Sequence, residues 1–131
     1  MAVTRTPTVD NPDVVKVSPS KGQFLHFTVD VGGPRPIFTF ASSVKGVLNE
    51  ASDLPGFPTA TKYEWDHLKN SSDIQQLELL ELRLSFFTNA NYTYTVELRG
   101  PTGAVSTVLQ ISYTGAPTDI APESFTVVIV P

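Results

Sequence analysis

Apolar and polar residues alternate with a period of two along much of this chain, the pattern of a strand with one face in a core and the other in water. In residues 23–31, Leu25, Phe27, Val29 and Val31 fall on one side and His26, Thr28 and Asp30 on the other, with Phe24 the exception. Tyr92, Tyr94, Val96 and Leu98 alternate in the same way with Thr93, Thr95, Glu97 and Arg99. Shorter apolar runs predict strands at residues 14–17, 37–41 and 44–48. A strand or a helical turn is expected around residues 63–69, because a structureless connection of about 20 residues is uncommon in a compact domain.

Residues 74–88 (IQQLELLELRLSFFT) fit both helical spacing and strict alternation. The turn cluster Thr88-Asn89-Ala90-Asn91 and the clear strand after it favour a strand, paired with residues 92–99 as a hairpin. Its alternation starts at Leu77 and Leu79 and slips by one at Leu80, as an extra residue in a β-bulge would produce.

The last third of the chain carries almost no charge. After Arg99 there is no Lys or Arg, and Asp119 and Glu123 are the only acids. Two stretches in this region, residues 104–114 (AVSTVLQISYT) and 124–130 (SFTVVIV), are rich in β-branched and aromatic residues suited to a pleated, buried surface. Open edges of this composition would recruit other chains. They therefore lie inside a sheet or are capped by another subunit.

The expected fold is an all-β antiparallel sandwich, immunoglobulin-like or jelly-roll, with roughly seven to nine strands and at most one short helix. Residues 1–12 read as an N-terminal arm and 13–131 as a single domain. Composition agrees: charged residues make up 17% of the 131, against roughly 25% in average soluble domains.

A formal net charge of -4, with the nine basic residues scattered, argues against nucleic acid and against a polybasic membrane patch. Cysteine is absent, which excludes disulfides and thiolate chemistry and leaves the compartment open. No run of about 18 apolar residues or apolar leader segment appears. No phosphate loop, nucleophile elbow, dinucleotide fingerprint or EF-hand pattern occurs, and no cofactor or metal site is predicted.

The candidate site residues are Tyr63, Trp65 and His67, which share one face if their segment is extended. Aromatic rings with polar tips could hold a sugar or an apolar partner, whereas packing at one end of the sandwich is the commoner role for a lone tryptophan. A hydrolase would set His67 against Asp66, Asp53 or Asp73 as acid and base. Asp119 with Glu123 could contribute to a calcium site, and Asn70 and Asn91 begin glycosylation sequons. The leading expectation is a non-catalytic binding or assembly module that self-associates through a sheet edge or face. A lectin-like carbohydrate-binding module using Trp65 and Tyr63 is the alternative, and a small hydrolase the third.

Overall fold

Strands of half-buried composition have to find a second sheet to cover their apolar faces, and here they do so within one chain. The computed structural model describes residues 2–6, 14–31, 37–57, 59–69, 77–85, 92–114 and 123–131. They form β1 (Ala2–Thr6), β2 (Val14–Val17), β3 (Phe24–Val31), β4 (Ile37–Ser42), β5 (Gly46–Glu50), β6 (Lys62–His67), β7 (Glu78–Ser85), β8 (Tyr92–Arg99), β9 (Val105–Thr114) and β10 (Glu123–Ile129), with one 3-10 turn at Ala51–Asp53. The strands build two packed five-stranded sheets, in the orders β1-β9-β8-β3-β6 and β2-β10-β7-β4-β5. The fold is a β-sandwich, antiparallel except where β2 runs parallel to β10. Nine strands lie in the predicted domain, and the tenth, β1, lies in the segment read as an arm.

The cation-free strands are interior. β9 is flanked by β1 and β8, and β10 by β2 and β7. The two strands nearest the start of the chain thus supply the cover that their composition demands. Three of the remaining edges carry a feature that discourages further pairing: β6 turns Lys62, Glu64 and Asp66 outward, β2 is short and contains Lys16, and β5 is interrupted where its register with β4 shifts.

Two expectations about β7 need correction. Its register is unbroken against both β4 and β10, so it has no bulge. Glu78 points inward, in phase with Leu80 and Leu82, and is only 5% exposed, whereas Leu77 is 55% exposed and Leu79 is also exposed. The apparent slip comes from leucines on the outer face.

β7 and β8 do not form a hairpin either, for they belong to different sheets. The chain crosses between sheets at every connection except β4–β5 and β8–β9. A turn cluster between alternating runs signals a reversal, but it does not say whether the chain returns beside the first strand, about 5 Å away, or across the sandwich, about 10 Å away.

The core is the inward set of both sheets. Leu25, Phe27, Val29, Tyr94, Val96, Leu109 and Ile111 meet Phe38, Phe40, Leu80, Leu82, Phe125, Val127 and Ile129. The β8–β9 turn is closed by the Gly100 N–H donating to the Ala104 carbonyl at 2.9 Å. Gly100 has φ +89°, and a Cβ there would lie 2.6 Å from the Gly22 carbonyl oxygen, so both dihedral and space require glycine.

Candidate functional site

β6 and β5 are the edge strands on the same side of the sandwich, one from each sheet. Between them opens a cleft of about 350 Å³. Its lining combines Phe40, Leu48, Trp65 and Leu68 with the polar residues Lys45, Asn49, Asp66, His67 and Lys69.

Alternation along β6 places this site. Tyr63, Trp65 and His67 do share one strand face, but it is the inner one. Tyr63 is 1% exposed and Trp65 9%. The indole stacks on Phe27 at 5.5 Å with planes 2° apart and on Phe38 at 5.6 Å with planes 14° apart. These rings therefore do not form an exposed stacking platform. Trp65 and His67 line the cleft together, whereas Tyr63 does not reach it. Both the Tyr63 hydroxyl and the Trp65 Nε1–H are buried without a hydrogen-bond partner among the described residues. Burial raises the Tyr63 hydroxyl above its ordinary pKa, which keeps it neutral.

His67 meets a carboxylate that its sequence neighbours did not suggest. Its Nε2 lies 2.9 Å from Glu78 Oε1, and the other Glu78 oxygen accepts the Ser42 hydroxyl. Ser42 Oγ in turn accepts the Val44 and Lys45 N–H groups at 3.1 and 3.2 Å, which shapes the β4–β5 turn. This chain of side chains joins β6 in one sheet to β7 and β4 in the other. All three residues are buried.

Burial alone would raise the Glu78 carboxyl, but hydrogen bonds from His67 and Ser42, with the charges of His67 and Lys45, outweigh it and hold the group below its ordinary value. An ionised Glu78 fixes the His67 ring by accepting its Nε2–H. That ring packs roughly perpendicular to Phe40, with centroids 5.8 Å apart and planes at 83°. β6 ends at His67 and is followed by Leu68, whose φ of +67° is rare for a residue with a Cβ and turns the chain at the cleft wall.

Asp66, which precedes His67, is on the opposite face of β6. Its Oδ1 lies 2.7 Å from His26 Nδ1, and its Oδ2 lies 3.6 Å from Lys69 Nζ. His26 Nε2 reaches Glu64 at 3.1 Å. Asp53 accepts the Glu50 N–H at 2.8 Å at the 3-10 turn. The pairings of His67 with Asp66 or Asp53 are thus not made. Asp73, Asp119, Asn70 and Asn91 lie outside the described residues, as does Gly32-Gly33-Pro34. Among the described residues no group of three metal-ligating side chains converges.

Glu78 and Ser42 are the site residues that sequence reasoning missed, and a signal for both was present. Extending the inward phase Leu82, Leu80 back by two reaches Glu78, and extending Phe38, Phe40 forward by two reaches Ser42. A polar residue on an inward phase needs a buried partner, and these two supply one another.

Comparison with known proteins finds no matching family model, no matching curated protein and no matching solved structure. What the arrangement does chemically follows from its geometry. A serine nucleophile needs its hydroxyl against a base such as imidazole, with the carboxylate behind that base. Here the carboxylate stands in the middle, and Ser42 Oγ is engaged by two backbone N–H groups. The order Ser–Glu–His locks an imidazole in place and activates no hydroxyl.

Proposed function

We propose that this chain is a non-catalytic binding module that takes a small molecule in the cleft between β5 and β6. One observation carries the reading: Trp65 and His67 converge on an open cleft between the two sheets, with His67 held by Glu78 and Ser42. A volume of about 350 Å³ lies at the lower end of small-molecule sites, roughly 300–1,000 Å³. Mixed apolar walls and a few fixed polar groups are the usual furnishing of such sites. The Ser–Glu–His order favours binding over hydrolysis. The packed rings favour a ligand held in the cleft over a sugar laid on an exposed Trp65–Tyr63 surface.

Trp65 is the only tryptophan, so its emission reports directly on the cleft. Titration with small ring compounds is expected to shift that emission saturably, and Leu48→Phe, which narrows the cleft, is expected to weaken the response. A response unchanged in Leu48→Phe overturns the assignment of the site.

A second reading, self-association, is favoured by a different surface. Val44, Val47, Leu77 and Leu79 are all exposed, and they gather around the β4–β5 turn and the start of β7. Ser43 joins the two regions by donating its N–H to the Leu79 carbonyl at 2.9 Å. The partner would be a second copy meeting the outer face of that sheet, since the edges are guarded. Sedimentation at micromolar concentration tests it: a dimer that Leu79→Lys dissociates supports the reading, and a monomeric wild type ends it.

A further inference from the structure

We infer that the molecule bound in the cleft is a small organic carboxylate with an apolar body; this rests on the cleft being a ligand site. The chain as a whole is acidic, with net charge -4, yet the cleft lining carries Lys45 and Lys69 against Asp66 alone. Asp66 is already committed: one oxygen faces His26 and the other Lys69. Lys69 is committed as well, with Nζ near Asp66 and 5.3 Å from the centre of the Phe24 ring.

Lys45 has no ion pair among the described residues. Its charge acts on the buried Glu78 carboxylate, but both oxygens of that group are taken by His67 and Ser42, which leaves the ammonium without a direct partner. The cleft therefore presents at its rim one cation without a direct ion pair. Beneath it lie apolar walls from Phe40, Leu48 and Leu68 and the largely buried Trp65 indole. One cation suits one negative charge. A phosphate would call for several donors, such as a helix N-terminus or a run of backbone N–H groups, which the cleft lining does not supply. The volume limits the body to about one ring or a short chain.

The test compares phenylacetate with its uncharged analogue 2-phenylethanol on the full chain, by Trp65 emission and calorimetry at low salt. Phenylacetate is expected to bind about tenfold more tightly, the difference a charge-assisted contact makes. Lys45→Ala is expected to weaken phenylacetate about fivefold while leaving 2-phenylethanol nearly unchanged, and Lys45→Arg to restore it. Equal affinity for acid and alcohol, both weakened by Leu48→Phe, overturns the carboxylate and leaves the cleft as a site for neutral ligands. Binding of methyl glucoside in preference to either compound also overturns it, in favour of a polyol. If none of the three binds, the cleft assignment falls together with the carboxylate.

Discussion

The two histidines of this chain meet carboxylates through the same edge strand but in opposite settings. His26 lies on the outer face, where Asp66 and Glu64 of β6 approach its two ring nitrogens at 2.7 and 3.1 Å. His67 lies on the inner face and reaches Glu78 across the sandwich at 2.9 Å. The outer carboxylates keep part of their hydration, with side-chain exposures of 29% for Asp66 and 46% for Glu64. The inner pair has almost none, at 6% for His67 and 7% for Glu78. Similar chemistry thus carries different energetic weight, because a partner left behind in water is resolvated and one left between sheets is not.

The largest effect is expected at Glu78. Glu78→Ala strands His67 and the Ser42 hydroxyl, and should cost about 3–5 kcal/mol in urea unfolding. The double variant His67→Leu/Glu78→Leu removes both halves and should recover most of that loss. A double variant as damaged as the single would show that the bridge adds net stability over apolar packing.

Acid comes next. Glu78 has a folded pKa below that of an unfolded glutamate, about 4.3, so its contribution is complete above that value and is lost as pH falls through the folded one. Stability should therefore drop on acidification below about pH 4, with a shallower drop in Glu78→Gln. Glu64 is lowered as well, chiefly by its hydrogen bond with His26. Its effect has the same sign and should be smaller, because the group is half-exposed. Thermal unfolding from pH 7 to 3 in Glu78→Gln and Glu64→Gln separates the two.

His26→Ala should cost about 1 kcal/mol, since Asp66 and Glu64 return to water. Lys62→Ala, which removes an exposed contact to Glu64 at 3.6 Å, should cost less than about 0.5 kcal/mol by the same unfolding measurement. Reversal of the order between Glu78→Ala and His26→Ala would break the comparison.

How far the sequence could be read follows the same inside–outside division. Alternation identified strands 23–31 and 92–99, and placed Tyr63, Trp65 and His67 on one face, because the pleat forces residues two apart to the same side. Which side is inner depends on the opposite sheet, and pattern alone does not say it. Leu77 and Leu79 drew attention for their hydrophobicity, yet the phase of β7 is set by Leu80 and Leu82 and sends Glu78 inward. The joining of Glu78, Ser42 and His67 depends on crossings between sheets that no local signal encodes. The low charge of the last strands did reveal a need for cover, and β1 and β2 meet that need inside the chain.

The placement of β1 and β2 also sets a timetable. During synthesis both precede their partners by a long stretch of chain, since among the described residues β1 pairs with β9 and β2 with β10, so each waits for a strand made much later. Sheet closure is consequently a late event governed by long-range encounters, a topology that slows folding. Until then, the strands already made carry unpaired hydrogen-bonding edges.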